Sequence, residues 1–275
     1  PQMQTVISYE SANGALVDVR TDTWLDQVYD HISVGSSTDK AIELTNEAMD
    51  QNSHAEVLRT TDAGLPDALM IFANFSTYPI FAFTVVIIVN LMSALNTSPI
   101  RQRLTSSPVT GFSRGLGLLG TTLIIGLIGW AWIFGLGMGV FPPENIPASL
   151  PLIGVLALAL GAYTLVGVSV GFLMGQLGIR GNGAAAIANV GGMIFSFLAG
   201  AWVPLDYMPQ SVLTISQLTP GYWAAQAISG ASEVSSTSAE AILPLVQNCG
   251  IAALFGVAIT AVALGVGRNR ARASI

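Results

Sequence analysis

The chain has 275 residues, of which 52% are apolar and 9% charged, with a mean hydropathy of +0.62 and a net charge of −6. A soluble globular protein carries about 25% charged residues, so this chain cannot cover a wholly water-facing surface, and much of it must face lipid. The charge is also segregated: residues 1–67 hold twelve acids and three bases, the remainder four acids and seven bases, and no basic stripe of the kind that binds nucleic acid occurs.

Residues 1–67 read as a small α/β extracytoplasmic domain, incomplete by itself. Strands are expected at Thr5–Ser8 and Ala15–Val19, helices at Thr23–His31 and Thr38–Asn52, and a closing strand at Ala55–Arg59. In the second helix Ala41, Ile42, Leu44, Ala48 and Met49 recur at helical spacing. So small a unit has little core of its own, and is expected to pack with residues preceding Pro1 or with a partner chain. His31 and His54 lie far apart in this segment and read as water-facing, not as metal ligands.

Five runs are then long and apolar enough to span a bilayer, which takes about 20 residues. They are Leu69–Leu95 (with a more polar beginning at Asn74–Pro79), Gly115–Val140, Leu150–Leu177, Ala184–Val203 and Pro244–Gly267, and none holds a charged residue. A soluble five-helix core would show polar faces at helical period; these runs are apolar nearly all round. The lone Cys249 lies inside the last run and reads as inert packing. The expected class is a mainly α, polytopic helical membrane protein, with residues 68–275 as its membrane domain.

Orientation follows from the arginines. Arg101, Arg103, Arg114, Arg180, Arg268, Arg270 and Arg272 fall in the first loop, the third loop or the C-terminal tail; Glu144, Asp206, Glu233 and Glu240 fall in the second and fourth loops. Five spans put the first group on one side, which is therefore the cytosol, and put residues 1–67 outside. An acidic segment of that length crosses a membrane only behind a preceding span or a signal peptide, so a sixth span is expected upstream, with a cleaved signal as the alternative.

Four motifs remain. The first cytosolic loop, about residues 97–111, can form a short amphipathic helix over Ile100–Ser106, with Pro99 tolerated at its first position and Pro108 ending it. It reads as a connector or as a docking element for a cytosolic motor. Gly167-Val-Ser169-Val-Gly171 matches a hydrolase nucleophile pattern, yet no base lies in any span, and Gly167, Gly171 and Gly175 more economically form a flat face for another helix. The stretch of about residues 204–223 is too interrupted to span; it reads as an aromatic belt or as a pair of re-entrant helices turning at Pro204–Pro209 and Pro220. A P-loop needs a lysine against the phosphates, and Lys40, the one lysine, lacks that context.

The loop Arg101-Gln-Arg103-Leu104-Thr-Ser-Ser107-Pro108, followed by Gly200-Ala-Trp-Val-Pro204-Leu205 through Pro209 to Pro220-Gly-Tyr222, resembles the permeases of type-2 ABC (ATP-binding cassette) exporters over roughly residues 69–270. The resemblance implies six spans per permease, with an outer domain between the first and second. It also implies two permease halves, identical or different, and separate cytosolic ABC ATPase subunits that hold the ATP and magnesium. This chain would then hold no cofactor or metal and not itself be an enzyme. Arg101, Arg103, Leu104, Ser107 and Pro108 would dock on the ATPase. Pro204, Leu205, Pro209, Pro220 and Tyr222 would form an outer gate. Asn90, Gln176, Asn189 and Ser196, polar groups within the spans, are candidates to line a pathway or to hydrogen-bond between helices. The expected function is an ATP-driven exporter permease of the cell membrane; the alternative is a non-transporting receptor or assembly subunit whose outer domain binds a ligand.

Overall fold

The computed structural model describes residues 12–50, 64–97, 111–203, 205–234 and 237–273. The chain forms two compact units, Pro1–Leu58 and Arg59–Ile275.

In the first unit, α1 (Ala12–Ser33) and α2 (Thr38–Asp50) form a helical hairpin. Gly35, at φ +96°, ends α1; the Ser36 amide reaches back to the His31 carbonyl at 3.1 Å, the bond that closes a helix through a left-handed residue. Val28, Ala41 and Thr45 form a small core, and the Trp24 indole donates to the Asn46 side chain at 2.9 Å. The expected strand at Ala15–Val19 is instead part of α1. The valines there favour a strand locally, but Ala12, Ala15, Leu16 and Val19 continue at helical spacing into Leu25, Val28 and Ile32, and the longer period wins. No strand occurs among the described residues, so the expected α/β character is replaced by a helical one. The strands expected at Thr5–Ser8 and Ala55–Arg59 lie outside those residues.

The second unit is a helical bundle. Among the described residues, four helices are long and apolar enough to cross a membrane: α3 (Asp67–Leu95), α4 (Gly111–Val140), α5 (Ile146–Gln176) and α9 (Ala239–Ala273). The expected fourth span, Ala184–Val203, is shorter than the others. It forms α6 (Asn182–Leu198), whose 17 residues rise roughly 25 Å against a hydrocarbon core of about 30 Å. Its middle, Ile187–Gly191, widens into a π turn. Gly200, at φ +83°, stops it, with the Ala201 amide on the Ser196 carbonyl at 3.1 Å and Leu205 packed over the glycine. Apolar composition continues past that glycine, but the helix does not. Two shorter helices follow, α7 (Gln210–Ser216), starting directly after Pro209, and α8 (Pro220–Glu233), with Pro220 in its first turn.

α5 is the hub, packed against α3, α4, α8 and α9. A Cβ on Gly167 would strike the Thr84 hydroxyl, one on Gly171 would lie 3.1 Å from the Val85 Cα, and one on Gly175 would strike Met92. The glycine face therefore receives α3, and both chains run the same way along it. Ser169 meets Thr260, Gly256 meets Leu165, and Gly267 meets Gln176, so α9 is also parallel to α5. Gly129 meets Phe83 and Gly137 meets Phe72, so α4 is antiparallel to α3; Thr77 with Ser196 and Phe81 with Gly191 make α6 antiparallel too. The run α3, α4, α5, α6, α9 thus alternates in direction. Arg114, Arg180, Arg268 and Arg270 come to one end, and Asp67, Glu144 and Glu240 to the other.

Candidate functional site

The polar beginning of α3 builds a seam with α6. Pro79 has no N–H to give the helix, and just before it the Ser76 hydroxyl donates to the Phe72 carbonyl and the Thr77 hydroxyl to the Asn74 carbonyl, both at 2.7 Å. Thr77 also meets the Ser196 hydroxyl at 3.1 Å, both side chains being fully buried. Within the π turn, the Tyr78 hydroxyl donates to the Asn189 Oδ1 at 2.9 Å, while the Asn189 Nδ2 returns to the Ala185 carbonyl at 2.9 Å. Asn189 therefore ties the widened backbone of its own helix to α3. Trp202, just past α6, stands edge-on to Tyr78 with ring centroids 6.2 Å apart.

Behind the seam lies Tyr163 of α5, fully buried against Phe81. Its hydroxyl points towards Ser196 without closing a well-formed hydrogen bond. Three helices thus present hydroxyls to one another at a point where α6 is not regularly wound. π turns inside α-helices occur frequently at functional sites.

Of the residues singled out in the sequence, Asn189 and Ser196 come together on the α3 side of α6, the first exposed and the second buried. Asn90 is exposed on α3, twelve residues and roughly 18 Å of helix rise beyond Tyr78. Gln176 lies at the arginine end, its side chain against Gly267 and its carbonyl accepting from Arg270 Nη1 at 2.7 Å. Leu205 rests on Gly200, Pro209 precedes α7, and Pro220 and Tyr222 open α8, Tyr222 edge-on to Trp223 at 5.3 Å. The Trp223 indole donates to the Gln217 carbonyl at 2.9 Å, which clips α7 to α8. Arg101, Arg103, Leu104, Ser107, Pro108 and Pro204 lie outside the described residues. Tyr78, Thr77 and Tyr163 were not singled out, because an aromatic or hydroxyl residue in an apolar run reads as packing; the clustering of polar residues at Asn74–Pro79 was the available signal.

Ser169 of the nucleophile-like motif bonds the Leu165 carbonyl at 2.6 Å and the Thr260 hydroxyl at 2.8 Å. The first is a back-bond within α5 and the second a bond across to α9, and neither partner is a base that could activate a nucleophile. No group of three potential metal-ligating side chains occurs among the described residues. The seam can make, break and remake hydrogen bonds between helices.

A model of the family described as "ABC-2 family transporter protein" matches residues 3–264 of the chain. No curated protein and no solved structure matches it.

Proposed function

The chain belongs to the ABC-2 family of transporter proteins, and from that premise we propose that it is the membrane permease of an ATP-driven exporter in the cell membrane, powered by a separate cytosolic ATPase that holds ATP and magnesium. The observation that carries this reading is the absence of any Asp, Glu, Lys, Arg or His from the five apolar runs. An ionisable group at mid-bilayer costs on the order of 3 kcal/mol by insertion scales and persists chiefly where function needs it. A proton-driven carrier keeps such a group in its pathway; a permease worked by an external motor does not require one.

In this reading the arginine end faces the cytosol and residues 1–67 lie outside. The loop carrying Arg101, Arg103, Leu104, Ser107 and Pro108 docks on the ATPase, and its displacement enters the bundle through the end of α3. About 26 Å back along that helix, α3 meets α6 at Tyr78–Asn189 and Thr77–Ser196. The π turn lets α6 shift along α3 while these bonds exchange partners, opening and closing a path beside the exposed Asn189. Leu205, Pro209, Pro220 and Tyr222, with α7 and α8, close its outer end. A second permease half, identical or different, faces the first.

The test is uptake into inverted vesicles carrying the assembled protein, with an ATP-regenerating system and an uncoupler. Uptake is expected to continue when the proton gradient collapses at fixed ATP and to stop when ATP is removed. Abolition by the uncoupler at fixed ATP would return the protein to the ion-coupled carriers.

A further inference from the structure

α4 is the most peripheral of the spanning helices; Ile124, Ile128 and Trp132 are about 60–70% exposed. Towards the arginine end it leans over α9 and leaves a groove of about 260 Å³ whose floor is Leu165 of α5. Leu119 and Leu123 form one wall, and Val257, Ala261 and Leu264 the other. The hydroxyl of Thr260, also in the groove, is already bonded to Ser169. A surface this apolar, at membrane depth, offers a ligand no hydrogen bond.

Its dimensions and its end restrict what fits. The walls converge where a Cβ on Gly115 would lie 3.8 Å from Leu264, in ordinary contact. A third helix, about 10–12 Å across with its side chains, cannot enter between helices that close. The volume is also below the ~300–1,000 Å³ typical of pockets for compact ligands. A single extended hydrocarbon chain suits both limits. Val257, Ala261, Leu264 and Arg268 follow one another at helical spacing, so Arg268 stands one turn past the end of the groove, exposed, as the first charge after the apolar run that ends at Gly267.

We propose that this groove holds one acyl chain of an anionic phospholipid from the leaflet at the arginine end, with the phosphate-bearing headgroup on Arg268. The lipid fills the space between α4 and α9 that the protein leaves open, and so braces the loosest helix of the bundle. This rests only on the helices spanning a bilayer and is independent of what the protein transports.

The experiment uses the full chain in vesicles doped with phosphatidylglycerol or phosphatidylcholine, each bearing a photoactivatable group in the acyl chain, with adducts mapped by mass spectrometry. Adducts are expected at residues 119–123 and 257–264 in excess of those at the equally lipid-accessible 124–132 face, and more with phosphatidylglycerol. Ala261→Trp, which fills the groove, removes the excess. Arg268→Gln lowers the headgroup preference by about five-fold, the contribution of one basic side chain near an anionic surface. Equal labelling of both faces in the unmodified protein, or equal labelling by the two lipids, overturns the proposal without any variant being needed. So does disulfide formation between two copies carrying Leu123→Cys and Val257→Cys, which would make the occupant protein.

Discussion

Replacing Gly171 by alanine is the sharpest test of how α3 and α5 are held. The added Cβ would sit 3.1 Å from the Val85 Cα, 3.1 Å from the Ile88 Cβ and 3.3 Å from the Thr84 carbonyl oxygen. Two of these are backbone atoms of a helix and cannot rotate away, so the two helices must separate by a few tenths of an ångström to restore a normal contact. Such a gap weakens van der Waals contacts all along the interface, and overpacking of this kind costs about 1–3 kcal/mol. Alanine returns about 0.5–1 kcal/mol of helix propensity, leaving a net loss of roughly 0–2.5 kcal/mol. Gly154 lies on the same helix with nothing within 4 Å of its added Cβ, so Gly154→Ala should be neutral or slightly stabilising. Unfolding by titrated denaturing detergent in mixed micelles measures both. Equal stabilities for the two variants would refute the claim that Gly171 is small because α3 touches it.

Tyr78→Phe and Asn189→Leu each remove the bond across the seam; both should fold, losing on the order of 0.6 kcal/mol, a typical interhelical hydrogen bond in a membrane, while ATP-driven uptake falls well below that of the parent. Normal uptake in both would remove the seam from the transport cycle. Ser169→Ala should retain uptake, cost no more than about 1.7 kcal/mol in detergent unfolding, and leave the protein as unreactive to a serine-directed fluorophosphonate as the parent. For orientation, cysteines in place of Asp26 and Glu240, both exposed, should react with an impermeant maleimide on intact cells and one in place of Arg272 should not, with the buried Cys249 silent throughout; labelling at Arg272 would reverse the assignment of sides.

The long spans were legible because one property, an unbroken apolar run without charge, decides them. α3, α4, α5 and α9 begin and end within a few residues of the runs expected for them. The face formed by Gly167, Gly171 and Gly175 was also legible as a face, though not its partner, since spacing gives a surface and never the helix that covers it. α6 was misread for a physical reason: hydropathy counts side chains, whereas its length is set by the backbone at Gly200 and its shape by the π turn at Ile187–Gly191. The strand expected at Ala15–Val19 failed in the opposite way, a local preference overridden by a longer helical pattern. Asn189 was found by its polarity, while Tyr78 became visible only once α3 and α6 were side by side.

α9 is 35 residues in one helix, roughly 52 Å of rise against about 30 Å of hydrocarbon, and Arg270 fastens it to the last carbonyl of α5. The guanidinium reaches that carbonyl beside Gly178, where an added Cβ would lie 2.8 Å from the Arg270 Nη1, so a side chain there would hold the two apart. A tilt of the end of the central helix would then be felt by the basic end of α9, at a point separate from the first loop.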